Sequence, residues 1–272
     1  MPDYIEPFGF IMLRVLGAAV LFWTISLFVK SEKIQRRDWS RIIACALFGM
    51  VINMLFFFKG LSLSTPINSS VIVTISPILV FILSAILIRE KITWLKASGA
   101  VLGLIGALML IFFSTSSTSE APNIPLGNLF ILINATSYGL YLIVVRPLTT
   151  RYKSITLMKW FFLIAVVINF PVTITEFTAV NWTSLPFSAV WRMGFVVVGV
   201  TFLTYLLNIY ALKQLSASTI GVFVYLQPVI AISFAIISGA DQLTFIKAFA
   251  VVLVFTGVYL VSSKQSRVRE KS

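Results

Sequence analysis

Ten polar side chains stand inside segments built otherwise from Leu, Ile, Val, Phe and Ala: Asn53, Ser70, Thr74, Asn134, Tyr138, Tyr141, Tyr205, Asn208, Tyr225 and Gln227. Ser69, Thr136, Ser137, Thr201 and Thr204 keep them company. In an apolar segment such groups are costly and normally turn to a protein interior. Tyr138 and Tyr141 are three residues apart with Asn134 one turn earlier, so the three share a helix face. Tyr205 and Asn208 repeat the pattern. Aromatic faces mixed with neutral hydrogen-bonding groups suit reversible binding of a modest-sized polar or amphipathic organic solute. Each residue taken singly reads as well as an interhelical hydrogen bond worth ~0.6–2 kcal/mol. It is the set that marks a cavity lining.

Bond-making chemistry has few candidates here. The chain has no histidine and a single cysteine, Cys45, which lies in an apolar span. Paired carboxylates, a Ser–Lys pair and clustered metal ligands at membrane depth are all missing from the sequence, so neither an enzyme, a metal site nor a cofactor is expected. Every Asp and Glu falls in a loop or at a span end. Facilitated diffusion or exchange is therefore expected rather than obligate proton coupling.

These residues are positioned by membrane helices. Of the 272 residues, 59% are hydrophobic and only 11% charged, whereas a soluble domain keeps about a quarter charged. A spanning helix needs about 20 apolar residues. Nine such spans are read: 7–29, 42–58, 67–88, 94–113, 127–146, 156–175, 191–212, 217–238 and 244–262, the seventh interrupted by polar residues. The net charge of +12 does not point to nucleic acid, because the bases sit in short loops and set topology. Lys30, Lys33, Arg36, Arg37, Arg41, Arg89, Lys91, Lys96, Arg146, Arg151, Lys153, Lys159, Lys213, Lys264, Arg267, Arg269 and Lys271 fall on one face, and Asp3, Glu6, Glu120, Glu176 and Asp241 on the other. The bias places the C-terminus, with its basic tail 263–272, in the cytoplasm of a multi-pass protein of the bacterial inner membrane. Trp160, Trp182 and Trp191 lie near span ends and are expected to anchor at the interface. Lys59, Lys159 and Arg192 can snorkel from helix ends. Arg14 is deeper in its span and is the base for which snorkelling is strained.

The spans are duplicated. Residues 61–111 lie over 212–262 at a constant offset of 151, with identities that include Pro77/Pro228, Thr93/Thr244, Lys96/Lys247 and Gly106/Gly257. The loop of the first copy is basic (Arg89-Glu90-Lys91), and its counterpart is Ala240-Asp241-Gln242. A membrane unit repeated in opposite senses is the ground plan of many secondary transporters. The repeats are read as 1–113 (four helices) and 127–262 (five helices). Matching them leaves nothing opposite span 127–146, so an opening helix of about 20–25 residues is expected ahead of Met1, giving ten helices in all. Pro77 and Pro228, at equivalent mid-span positions, read equally as hinges and as static kinks. Gly99, Gly103 and Gly106 lie close together on one helix side and suit close packing, within the bundle or between two copies in a homodimer.

These features resemble the EamA-type carriers of the drug/metabolite transporter superfamily. The matching stretches are GLSLSTPINSSVIVTISPILVFILSAILIREKITWLKASGAVLGLIGALMLI at 60–111 and its partner at 211–261. GNLFILINATSYGLYLIVVRPL at 127–148, with Tyr138-Gly139-Leu140-Tyr141, is similar to the helix that opens each family repeat. The resemblance departs at the family's Gly-Glu pair, here Arg89-Glu90 and Ala240-Asp241. It implies an all-α carrier that takes a small-molecule substrate across the lipid bilayer. The expected activity is export of organic metabolites such as amino acids by alternating access between inverted halves. Export of cationic drugs or lipid-linked solutes is the alternative. A cationic substrate would want an acid in the cavity.

Overall fold

The computed structural model describes residues 4–29, 32–90, 92–113, 121–239 and 242–269, with side chains as far as 262. Lys30, Lys91, Glu120, Asp3, Ala240, Asp241, Lys271 and the side chains of Lys264, Arg267 and Arg269 therefore lie outside the described residues. Among the described residues nine helices are long and apolar enough to cross a membrane. They are α1 (Pro7–Phe28), α2 (Arg36–Leu63), α3 (Pro66–Leu87), α4 (Trp94–Phe112), α5 (Ile124–Thr149), α6 (Ser154–Thr178), α7 (Phe187–Leu212), α8 (Ala217–Ile237) and α9 (Phe245–Ser262, the helix continuing to Arg269). The protein is an all-α multi-pass membrane protein. α2 begins and ends about a turn outside its apolar stretch, and α7 is one continuous helix despite its polar residues.

The chain forms two compact units that each draw on both repeats. The first contains Met1–Lys59 and Leu140–Gln214, and the second Gly60–Gly139 and Leu215–Ser272. The division falls inside α5, whose first half belongs to the second unit.

In the first unit α1 lies along α6 and against the middle of α7, while α6 also meets α2. Phe22 stacks on Phe162 at 5.4 Å between ring centroids and Trp23 meets Trp160 edge-on at 5.4 Å. Trp160 also meets Trp39, at 5.0 Å. It is half-buried, in the second turn of α6. Lys159 is likewise inside α6 and buried, its ammonium 4.8 Å from the centre of the Trp23 ring. At the opposite end the start of α1 needs acceptors for its free N–H groups. Glu6 at the N-cap makes no side-chain cap, and Glu176 from the last turn of α6 does so instead: its Oε2 accepts from Phe8 N–H at 2.7 Å and Gly9 N–H at 2.9 Å. Glu176 is thus a helix residue with a partner, not a loop acid. Replacing Glu176 with alanine is expected to destabilise the unit by ~1–2 kcal/mol, read as a lower melting temperature in detergent, since a charge-assisted cap is lost. Past the far ends of these helices Asp38 is buried, accepting from Arg151 Nη1 at 2.7 Å and from the Tyr152 hydroxyl at 2.8 Å.

In the second unit the 151-residue echo is visible in hydrogen bonds. Thr65 and Ser216 cap α3 and α8 by accepting from Asn68 and Thr219 N–H. Thr93 and Thr244 do the same for Lys96 and Lys247, both at 3.4 Å. Both prolines follow a tightened turn: Ile75 and Ile78 N–H bond three residues back, at 3.0 and 2.9 Å, around Pro77, and a 3-10 turn, Phe223–Tyr225, precedes Pro228. α4 and α9 meet through their glycines, with Gly257 against the backbone of Gly99 and Gly103. The core is completed by Phe81, Leu110, Tyr225, Val229 and Val254.

α3 ends in a left-handed residue. Arg89 has φ 51°, while Glu90 N–H reaches back to Ser84 O at 3.1 Å. This is the position of the first residue of the expected Gly-Glu pair, and glycine is the residue that reaches such a φ without strain. Arg89→Gly is expected to stabilise the protein by ~1 kcal/mol, measurable as a melting temperature raised by a few degrees.

Candidate substrate-binding site

The sequence-derived candidates divide between the two units. Asn53, Tyr141, Tyr205 and Asn208 fall in the first; Ser70, Thr74, Asn134, Tyr138, Tyr225, Gln227, Pro77 and Pro228 fall in the second. Within the second unit several have structural employment. Ser70 and Thr74 donate their hydroxyl protons to carbonyls one turn back, Pro66 O at 2.8 Å and Ser70 O at 2.7 Å. Only their lone pairs remain for another group. Tyr225 is fully buried in the apolar core with its ring against Gly103, and Gln227, two residues on, is exposed. Those two do not share a face.

The first unit holds a more concentrated arrangement. α2 and α7 each contain a π-helical segment, Leu47–Ile52 and Val196–Leu203. Shifted by 151, the first falls on 198–203, inside the second, so the repeat extends into segments that share no identical residue. A π segment widens the helix and moves the carbonyl ladder out of register, and such segments cluster at functional sites. Here hydroxyls answer the displaced carbonyls: Thr201 donates to Val196 O at 2.9 Å and Thr204 to Gly199 O at 3.0 Å. The Tyr205 hydroxyl donates to Gly49 O, in the other π segment, at 3.0 Å. Gly49 is needed for a second reason. A methyl there would stand 2.6 Å from the Tyr141 ring, which packs against α2 at this point. Tyr141 and Tyr205 meet edge-on at 6.5 Å, and Phe162 meets Tyr205 at 5.3 Å. Asn53 directly follows the first π segment.

Two polar groups complete this region. Arg14 on α1 donates from Nε to Thr201 Oγ1 at 2.9 Å, and its guanidinium carbon sits 5.8 Å from the centre of the Phe58 ring. Asn169 on α6 is fully buried, and neither its amide nitrogen nor its oxygen has a hydrogen-bond partner among the described residues. The rule that singled out the ten candidates applied to Asn169 as well, in the run Val-Ile-Asn-Phe-Pro, and should have included it. Gly49 and the π segments left no such signal. The assembly offers hydrogen bonds, aromatic faces and the guanidinium of Arg14 within an apolar helix. Groups of these kinds suit the reversible binding of a solute. The assembly shows no nucleophile paired with a base.

A family model described as the EamA-like transporter family matches residues 1–112 and 125–263. The chain is 25% identical over 262 residues to an uncharacterized transporter of Archaeoglobus fulgidus, covering 96% of this chain and 91% of that one. It is 25% identical to the uncharacterized transporter YyaM of Bacillus subtilis, covering 95% of this chain and 85% of that one. A solved crystal structure of a protein with 19% sequence identity superposes with a TM-score of 0.78 over 97% of this chain and 90% of the other, and so shares the fold. The matched model spans both repeats of the chain, which belongs to the EamA-like transporter family.

Proposed function

We propose that this transporter exports small organic metabolites, amino acids among them, by alternating access between its inverted repeats, from a cytoplasm that also holds its C-terminus. The observation that carries the reading is the pair of π segments at repeat-equivalent positions in α2 and α7, joined by Tyr205 and surrounded by Tyr141, Phe162 and Arg14. Helix segments with displaced hydrogen bonds have two nearly equivalent registers, which is what a helix that flexes between access states requires. Asn53, directly after the first π segment, and Asn208, further along α7 past the second, complete the proposed lining. Pro77 and Pro228, each after a tightened turn, are the proposed hinges in the second unit. Arg14 disfavours the rival reading as an exporter of cations, because a cationic solute would meet like charge.

The test is flux of labelled amino acids in proteoliposomes, with and without an imposed pH gradient. The proposal expects saturable flux of at least one amino acid that persists without the gradient; flux of none would refute it. Tyr205→Phe keeps the ring and removes the hydroxyl that donates to Gly49 O, at a stability loss of ~1–2 kcal/mol. It is expected to slow flux severalfold while the protein still folds. Unchanged flux would remove Tyr205 from the working parts.

A further inference from the structure

We infer that the guanidinium of Arg14 recognises a carboxylate on the transported solute, so that an ionised carboxylate is obligatory in every substrate. The inference rests on the export reading and narrows it to one chemical class.

Arg14 is the eighth residue of α1, about 10 Å along the helix axis from its first residue. A cation held at membrane depth is expensive unless an anion or a set of acceptors meets it. Among the described residues the two ion pairs are Lys96–Glu90 and Arg151–Asp38, and neither involves Arg14. Its one hydrogen bond is Nε to Thr201 Oγ1. Thr201 is itself held, because its proton goes to Val196 O in the π segment. The relay from Val196 O through Thr201 to Nε fixes the guanidinium plane and spends one edge of it. Among the described residues no acceptor meets the other edge, with Nη1 and Nη2. Two parallel donors in a fixed plane match the two oxygens of a carboxylate.

The surroundings fit a monoanion with an apolar body. Phe58 underlies the cation, and Phe10 packs edge-on against Phe58 at 6.0 Å. One guanidinium neutralises one charge. Depth supplies a second, independent sign of an unfilled polar place. Gly9 lies at Glu176 and Phe22 at Phe162, so in this antiparallel pair residue 14 is level with residue 170. Asn169, buried with neither amide atom partnered among the described residues, stands at about that depth on α6. An anionic lipid headgroup offers the same chemistry to Arg14, so the experiment separates the two.

Thermal unfolding of the full chain in a zwitterionic detergent is followed with a thiol-reactive dye, for which buried Cys45 in the same compact unit is the reporter. The probes are L-phenylalanine, L-phenylalaninamide and phenethylamine, then L-leucine and its amide, and separately phosphatidylglycerol. The acids should raise the unfolding temperature at concentrations about two orders of magnitude below their amides, since a site built around a charged pair rejects the analogue lacking it. Arg14→Gln should abolish the difference. Arg14→Lys keeps the charge and loses the fork, and should weaken acid binding at least about tenfold. Thr201→Val, which leaves the cation but frees its plane, should weaken it severalfold. Equal shifts from acid and amide, undiminished acid binding in Arg14→Gln, or stabilisation by phosphatidylglycerol alone would each overturn the inference. Flux of the same solutes in proteoliposomes separates the two claims: if acid and amide are carried equally, export stands and the carboxylate requirement falls. If no solute is carried, both fall.

Discussion

Gly257→Val is expected to prevent stable folding of the second unit, lowering the amount of protein recovered from membranes severalfold and removing its cooperative melt by circular dichroism. A first side-chain carbon at Gly257 would stand 2.5 Å from Gly103 N, 2.5 Å from Gly99 O and 2.8 Å from Gly103 Cα. All three are backbone atoms, so no rotamer change relieves the clash and α4 must move away from α9. Overpacking a close contact costs ~1–3 kcal/mol even where side chains can give way, and here they cannot. The lost backbone approach is also what holds small-residue helix pairs together in lipid, where the hydrophobic effect supplies no drive between helices. Gly194→Ala is the internal control: nothing lies within 4 Å of the added carbon, and the substitution in a helix should be neutral to slightly stabilising. A Gly257→Val protein that melts like the parent would contradict the α4–α9 contact.

Glu90→Ala is expected to be nearly as damaging, by a different route. The Glu90 carboxylate follows the left-handed Arg89 and accepts through Oε1 from Lys96 Nζ at 3.1 Å and from Ser218 Oγ at 2.6 Å. The two charged side chains are only 12% and 13% exposed, and Ser218 is fully buried. One carboxylate therefore ties the loop after α3 to the first turns of both α4 and α8. Removing one partner of a largely buried pair leaves the other charge uncompensated, at ~3–5 kcal/mol. Glu90→Gln retains an acceptor oxygen for Ser218 and should lose about half as much in melting temperature. The order wild type, Gln, Ala checks the argument; equal melting of the Gln and Ala variants would show that the hydrogen bond to Ser218 contributes nothing.

The helices were legible in the sequence because lipid imposes length and composition at once: each of the nine apolar runs corresponds to a span among the described residues, with ends displaced by a few residues. The repeat was legible where it is carried by residues of fixed local geometry. Thr93 and Thr244 are caps, Pro77 and Pro228 mark tightened turns, and Gly106 and Gly257 fill positions on the α4–α9 contact that admit no larger side chain. It faded in α2 and α7, where the shared feature is a hydrogen-bond register. Leu-Phe-Gly-Met-Val-Ile and Val-Gly-Val-Thr-Phe-Leu are equally apolar, and hydropathy does not distinguish a bond to the fourth residue back from one to the fifth. The choice of packing partners was equally hidden. Nothing local to Lys159 says that it will lie on the Trp23 ring, and Glu176 reads as a loop acid until the start of α1 is brought to it. The aromatic and polar set was found by cost, since a polar group in an apolar run asks for a reason. Cost alone did not separate Tyr225, a core residue beside Gly103, from Tyr205, which bridges two π segments.

Paired π segments, a tyrosine joining them and a cation with an open donor edge make sense together if the first unit binds a solute and then rearranges around it. A channel would need no such rearrangement. Solute counterflow separates the two most directly. Proteoliposomes containing the full chain are loaded with a high concentration of unlabelled substrate amino acid and diluted into a trace of the labelled one. The account predicts that label accumulates transiently above its equilibrium level, because one binding site returns loaded from each side in turn. Label that rises only to equilibrium, at a rate indifferent to what the vesicles contain, would contradict alternating access.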